Sequence, residues 1–164
     1  ILSIMRTISK IGKSTLIARL EDLRQWKMER RIDIWWRGME NNDDLMLLLA
    51  YLLKLNPRWE KSEIVLRSIV GDAGYKEEME KNLSDIISSV RIRADREVVV
   101  KDQGRSIEDL IQSNSGSADL VFMGLMIPER GEETAYAERL MELSRGLQSV
   151  VYVRNASEFS GKLL

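Results

Sequence analysis

The stretch IDIWWRGMENNDDLMLLLAYLL, residues 32–53, contains the pattern that decides the fold. It begins with a short run of β-branched and aromatic residues, which favours a strand, and it continues through a polar loop into an apolar run typical of a buried helix. A strand followed by a loop and a helix is the first half of a βαβ unit. The longest apolar run, residues 45–53, is much shorter than the roughly 20 residues of a membrane-spanning helix. We therefore expect this segment to lie in a protein core and not in a bilayer.

The same alternation of strand and helix patterns recurs along the rest of the chain. Five strands are predicted, at residues 32–36, 63–70, 97–100, 119–125 and 149–154. Helices are predicted between them, at residues 44–55, 75–90, 107–113 and 132–145. Right-handed crossovers then give a three-layer, doubly wound α/β fold whose mainly parallel five-stranded sheet has the strand order 3-2-1-4-5. Ligands of such folds bind beyond the carboxyl ends of the first and fourth strands.

Local signals mark several helix ends. Ser106 and Asp109 have the spacing of a capping box, Gly146 suits a left-handed helix terminator, and Asn42 or Asp43 can cap the helix that follows the first strand. Residues 14–29 are predicted to form a further amphipathic helix with Ser14 as its cap. On this interpretation residues 1–30 are a helix and connection to a preceding region, and residues 31–164 are the α/β domain.

The composition limits the possible partners. The chain has 164 residues, of which 44% are hydrophobic and 31% charged, so it is long enough to bury a core as one domain. Its formal net charge of -1 leaves no basic surplus for binding phosphates, and nucleic acid is not expected as a partner.

The composition also excludes much catalytic chemistry. The sequence has no cysteine and no histidine, which removes thiol nucleophiles, imidazole bases and zinc sites built on either. The acidic pairs Asp43–Asp44 and Glu132–Glu133 suit helix N-termini better than acid-base catalysis. We therefore expect no catalytic residues, no cofactor and no metal.

The sequence GKST, residues 12–15, is part of a phosphate-binding loop pattern. The complete pattern requires a glycine five positions before Gly12, where the sequence has Thr7. Helix initiation at Ser14 explains the fragment better.

The predicted strand order and residues 119–124 resemble universal stress proteins. ATP-binding members of that family have an aspartate at the end of strand 1 and a pair of glycines after strand 4. Here Trp35 and Trp36 end the first strand, and Ile127 replaces the second glycine after Gly124. The resemblance is thus one of scaffold, although a nucleotide-binding sensor of the universal stress type remains the alternative function.

A second resemblance covers residues 31–155. IDIWW, the leucine-rich helix with its YLL end, and the tryptophan that follows are similar to the cytoplasmic C-terminal domain of cation-chloride cotransporters, in the amino acid-polyamine-organocation transporter superfamily. SADLVFMGLMIPERG and LMELSRGLQSVVYVRN are similar to the last strand, helix and closing strand of that domain. The side chains that carry the resemblance, as candidates for core or interface positions, are Ile32, Asp33, Trp35, Trp36, Leu45, Tyr51, Trp59 and Arg154.

The chain departs from the family pattern in three places. The loop RGMENNDD is longer by two residues, Ala50 replaces a helix proline, and the long polar insertion of animal members is missing. Regulation by phosphorylation of that insertion cannot be carried over, and the compact form resembles a microbial member.

The resemblance implies a non-catalytic domain that regulates and dimerises a membrane secondary transporter. The expected partners are a second copy and the membrane domain of the same polypeptide, without insertion of this fragment into the bilayer. The expected location is the cytoplasmic face of the plasma membrane.

Overall fold

The fold is an α/β sheet with helices on both faces, as seen in a computed structural model that describes residues 2–21, 29–37, 42–90 and 92–156. The strands are β1 (Thr15–Arg19), β2 (Arg31–Trp35), β3 (Glu63–Val70), β4 (Asp95–Val100), β5 (Leu120–Gly124) and β6 (Val150–Arg154). The helices are α1 (Leu2–Lys10), α2 (Asn42–Lys54), α3 (Lys76–Ser89), α4 (Ile107–Ser115) and α5 (Glu133–Leu143), with a 3-10 turn at Ala73–Tyr75.

The strands form one sheet in the order β1-β6-β5-β2-β3-β4. From β4 to β6 all neighbours are parallel, and their order is the one predicted for the five strands. The doubly wound, three-layer fold class is therefore confirmed. β1 adds a sixth strand, antiparallel to β6, at one edge.

Side chains alternate between the two faces of the sheet, so each face carries its own core. On one face Ile32, Ile34 and Trp36 pack with residues of α2 and α3. On the other face Trp35 and Val121 pack with residues of α1, α4 and α5. The crossover connections produce this division, because they place helices on both sides of a parallel sheet.

The predicted helix at residues 14–29 is wrong where the structure describes it. Residues 15–19 are β1, because pairing with β6 satisfies backbone groups that a helix would have to satisfy locally. Ser14 does not cap a helix, since its hydroxyl donates to Asn155 Oδ1 at 3.4 Å and accepts from the Ala156 N–H at 3.1 Å. Residues 22–28 of this prediction lie outside the described residues.

The amino-terminal helix α1 was not predicted. Its Leu2 and Met5 are buried against the sheet, in the core that contains Trp35 and Tyr152. Together α1 and β1 therefore pack as part of the same layered structure as residues 31 onward.

The predicted boundaries of the later helices agree with the structure. Ser106 accepts from the Asp109 N–H, and the Asp109 side chain accepts from the Ser106 N–H, which completes the capping box of α4. Gly146, just after α5, has a φ of 73°, the left-handed conformation that glycine adopts without steric cost.

Candidate functional site

The edge of the sheet at which ligands of this fold class bind is occupied by the chain's own Asn42. This residue begins α2 and is only 4% exposed. Its Nδ2 donates to the Leu125 carbonyl at 3.3 Å, and its Oδ1 accepts from the Asn155 N–H at 2.8 Å. It thereby joins the carboxyl ends of β5 and β6 across the start of α2.

Gly124 lies directly beneath this amide. A Cβ placed on Gly124 would lie 3.5 Å from Asn42 Nδ2, an ordinary van der Waals contact, so the Asn42 amide packs directly over this end of β5. Asp43, also buried, places a carboxylate in the first turn of α2. An anion approaching this helix N-terminus would meet that negative charge instead of free amides.

The GKST segment has no phosphate-loop geometry. Gly12, with a φ of 68°, lies in the turn after α1, and residues 15–19 then continue as β1. A phosphate loop needs a helix N-terminus directly after the glycine-rich turn. Residues 12–15 therefore do not form a phosphate loop, and β1 forms in place of the predicted helix.

A network of buried polar side chains centres on Asp33, in the middle of β2. Asp33 is fully buried, and its Oδ2 accepts from Arg67 Nε at 2.8 Å and from Ser115 Oγ at 2.7 Å. Its Oδ1 lies 3.1 Å from Arg31 Nε. Arg67 in turn forms an ion pair with the half-exposed Glu97 of β4.

Trp35 joins this network through its indole. The Trp35 Nε1–H donates to Ser115 Oγ at 3.0 Å, so the Ser115 hydroxyl accepts from Trp35 while it donates to Asp33. The chain of bonds ties β2 to the end of α4 and to β3. Since every charged member has an opposite partner, the arrangement is a structural one that holds α4 on the sheet.

The two adjacent tryptophans are buried on opposite faces of the sheet. Trp35 is 5% and Trp36 9% exposed. The backbone N–H of Trp36 donates to the Arg67 carbonyl at 2.6 Å, which extends the hydrogen bonding between β2 and β3 by one residue. Each buried indole removes about 150–250 Å² from water. Both side chains therefore belong to the cores, and neither offers an exposed contact surface.

Trp59 belongs to a second buried cluster, at the amino-terminal ends of β2 and β3. The Arg30 guanidinium carbon lies 4.8 Å from the centre of the Trp59 ring, which is a cation–π contact. Arg30 Nη1 is also 3.8 Å from Asp119 Oδ1, and the Arg31 N–H donates to Asp119 Oδ2 at 3.0 Å. The cluster fixes where β2 and β5 begin.

The remaining resemblance residues are distributed over the fold. Ile32 and Leu45 are buried in the α2 core, and Tyr51 is half-buried on α2 against the same core. Arg154, half-buried, ends β6. The eight positions thus do not converge on one site.

Two tyrosines, Tyr136 of α5 and Tyr152 of β6, have a raised pKa. Burial raises the pKa of Tyr152, whose hydroxyl donates to the Leu140 carbonyl. Burial also raises the pKa of Tyr136, whose oxygen accepts from the Met126 N–H at 2.8 Å. Both phenols stay neutral at physiological pH and act as hydrogen-bonding core residues.

An open depression of about 430 Å³ lies at the opposite, amino-terminal edge of the sheet. Its rim carries both signs of charge, from Lys54 and Arg93 and from Glu63 and Asp95, around an apolar floor that includes Ile64. Lys54 is engaged there, since its Nζ donates to the Ser62 carbonyl at 2.7 Å. The depression therefore does not select a ligand of one charge.

Within residues 2–21, 29–37, 42–90 and 92–156, no three acidic side chains are grouped so that they could hold a metal ion. Across the same ranges, no helix combines the length and the apolar character that crossing a bilayer requires.

Sequence reasoning missed three residues that organise these sites: Asn42 as a bridge, Arg67 and Ser115. Arg67 carried a usable signal, because a charged residue in the middle of the apolar run EIVLRSIV needs a buried partner of opposite sign. Asp33, the charged residue within the apolar run IDIWW, is that partner. Asn42 and Ser115 carried no comparable signal, since their partners are distant in sequence.

The fold matches a solved structure, the crystal structure of the cytoplasmic domain of a prokaryotic cation chloride cotransporter. The TM-score is 0.68 at 20% sequence identity, and the match covers 96% of this chain. The chain spans 58% of the length of that structure. No protein-family model matches the chain, and no curated protein matches it. The likeness is one of fold, and it confirms the structural resemblance indicated by residues 31–155.

Proposed function

We propose that this chain is a non-catalytic cytosolic domain of a secondary transporter of the cation-chloride cotransporter type. In this proposal it dimerises and couples cytoplasmic signals to a membrane domain in the same polypeptide, at the cytoplasmic face of the plasma membrane. The observation that carries the proposal is the fold match over 96% of the chain to the cytoplasmic domain of such a transporter. The sequence pattern of residues 32–59 supports it independently.

The geometry at the carboxyl edge of the sheet supports a role without nucleotide chemistry. Asn42 fills the space over β5 and β6, and Asp43 places a negative charge at the helix N-terminus. A universal-stress-type sensor would need both positions open for phosphates. These contacts favour a domain without a nucleotide site at this edge.

Calorimetric titration with ATP separates these functions. We expect no heat of binding up to millimolar nucleotide, with an ATP-binding universal stress protein as the positive control. Stoichiometric, micromolar binding to this chain would replace the proposal with the nucleotide sensor.

Sedimentation equilibrium tests the dimerising part of the proposal. The chain should show a reversible monomer–dimer equilibrium as its concentration rises, because a cytosolic dimerisation domain needs self-affinity of its own. A strict monomer at the highest soluble concentration would remove dimerisation from the proposed function.

The coding sequence of the gene tests the link to a transporter. We expect it to encode a series of membrane-spanning segments in the same reading frame as this chain. A reading frame that encodes only soluble sequence would contradict the transporter assignment.

A further inference from the structure

Ser62, in the depression at the amino-terminal edge of the sheet, has a buried hydroxyl group whose hydrogen bonding is incomplete. The residue lines the depression and is only 3% exposed. Its backbone is engaged, since its N–H donates to the Trp59 carbonyl at 2.9 Å and its carbonyl accepts from Lys54 Nζ at 2.7 Å. Its Oγ forms no hydrogen bond with the residues that the structure describes. Because a buried polar group without a partner is costly, a bound molecule that reaches Ser62 would supply a favourable bond.

The ammonium group of Lys54 lies beside Ser62 and can also serve a ligand. Lys54 ends α2 and is half-buried. An ammonium group has three N–H donors, and the bond to the Ser62 carbonyl uses one of them. A carboxylate bound in the depression can therefore accept from Lys54 with one oxygen and from the Ser62 hydroxyl with the other.

The floor of the depression suits an aliphatic group. It is formed by Ile64, Ile87, Ile92 and Ala94, which belong to the α2 core or pack against it. A branched aliphatic side chain placed on this floor would remove apolar surface of both partners from water, which favours binding. The volume of about 430 Å³ lies within the roughly 300–1,000 Å³ that small-molecule sites occupy.

The charges around the depression balance one another. Arg93 adds a positive charge to that of Lys54, while Glu63 and Asp95, at the beginnings of β3 and β4, add two negative charges. A ligand whose only charge is a carboxylate would meet repulsion from the two acidic residues. A ligand that also carries an ammonium group is attracted by charges of both signs.

From the Ser62 hydroxyl, the Lys54 ammonium group and the apolar floor, we propose that this depression binds a free amino acid with a branched aliphatic side chain. The carboxylate of the ligand lies against Lys54 and Ser62, and its side chain lies on the isoleucines. Its ammonium group faces the rim carboxylates of Glu63 and Asp95. The ligand joins the end of α2 to the connection between α3 and β4, since it contacts residues of both. This site goes beyond the proposed function and does not depend on the link to a transporter.

Titration with L-leucine, followed through backbone amide NMR signals, tests the proposed site. We expect saturable shifts at Ser62, Ile64 and Ala94, with a Kd below roughly 1 mM. Three analogues are the controls: glycine lacks the side chain, isopentylamine lacks the carboxylate, and isocaproate lacks the ammonium group. Each should bind about tenfold more weakly than L-leucine. A Kd for L-leucine above roughly 1 mM, or an analogue that binds as tightly as L-leucine, overturns the inference.

Two variants locate the ligand in the depression. Ser62→Ala removes a hydroxyl that forms no bond with the described residues, so it should not lower the free energy of unfolding, yet it should raise the Kd for L-leucine roughly fivefold. Lys54→Met should raise the Kd roughly tenfold, because it removes a charge-assisted hydrogen bond to the ligand carboxylate. The matched control Ser3→Ala, at an exposed position of α1, should leave the Kd unchanged.

The stability of Ser62→Ala separates a binding role from a structural one. A normal free energy of unfolding together with weakened L-leucine binding supports the site. Unchanged binding in both Ser62→Ala and Lys54→Met places the ligand elsewhere and overturns the assignment.

Discussion

The buried carboxylate of Asp33 illustrates how single residues determine this fold. A carboxylate removed from water is costly unless opposite charge and hydrogen bonds replace its hydration. Arg67 Nε at 2.8 Å and Ser115 Oγ at 2.7 Å supply that replacement for Asp33. The Asp33 carboxylate therefore contributes less to net stability than to specifying which strand and which helix lie beside β2.

Replacing one member of this network tests its importance. Asp33→Ala should lower the free energy of unfolding by about 3–5 kcal/mol, because it removes the fully buried acceptor of Arg67 and Ser115 and leaves the buried Arg67 paired only with the half-exposed Glu97. Urea denaturation at pH 7 measures the change. The control Asp85→Ala, on the exposed side of α3, should stay within about 0.5 kcal/mol of the original chain.

A double variant distinguishes the loss of the Asp33–Arg67 attraction from the cost of leaving Arg67 buried without Asp33. Asp33→Leu/Arg67→Met should recover part of the loss, since apolar residues of similar volume can replace a buried ion pair at little cost. If the double variant is less stable than Asp33→Ala, the buried Arg67 charge is not the cause of the destabilisation.

At the scale of elements, α2 is the apolar helix of the stretch at residues 32–53. Leu47 is 3% exposed in the core, whereas Leu52 on the same helix is 50% exposed. Burial, and not helical propensity, distinguishes these two leucines.

The two leucines give a matched pair of variants. Leu47→Ala should lower the free energy of unfolding by about 2–5 kcal/mol, because it removes buried methyl groups and leaves a cavity. Leu52→Ala should change it by less than about 0.5 kcal/mol. Equal losses in chemical denaturation would contradict the packing of α2 described above.

The capping box of α4 gives an element-scale prediction with a defined pH dependence. Ser106→Ala should cost about 1 kcal/mol at pH 7, since it removes the acceptor for the Asp109 N–H. The hydrogen bonds with Ser106 lower the pKa of Asp109.

The sign of the pH effect follows from this shift. A lowered carboxyl pKa in the folded state stabilises the protein above the unfolded value of about 3.9, and the stabilisation is lost as the pH falls through the folded pKa. Asp109→Ala should therefore destabilise the chain at pH 7 and have progressively less effect below about pH 4. Denaturation curves at both pH values measure it, and a penalty that grows on acidification would contradict the capping role.

For the whole molecule, the sheet order predicts how stability is distributed. β5, β2 and β3 lie in the interior of the sheet, whereas β1 and β4 form its edges. The amides of the interior strands should therefore exchange with solvent most slowly, because they open only when the molecule unfolds.

Native-state hydrogen exchange measures this distribution at a protein concentration that keeps the chain monomeric. Amides of Ile34, Leu66 and Phe122 should be the most protected, and those of Leu16 and Arg96 much less so. Uniform protection from β1 to β4 would indicate that the edge strands are as firmly held as the centre.

The sequence by itself determined the five parallel strands, their order, and the capping box and glycine terminator of the later helices. These features follow from local information, because side-chain alternation, helical spacing and cap residues are encoded within a few neighbouring positions and crossovers have a fixed hand. The resemblance of residues 31–155 to cotransporter domains came from the same local blocks.

Only the tertiary structure decided the rest. Residues 15–19 read as a helix but form β1, because the open edge of β6, more than a hundred residues away, offers its backbone groups as partners. The position of Asn42 in the crevice and the pairing of Asp33 with Arg67 were likewise decided by the tertiary structure. Each depends on a contact between distant segments, and such a contact exists only once the layers have packed.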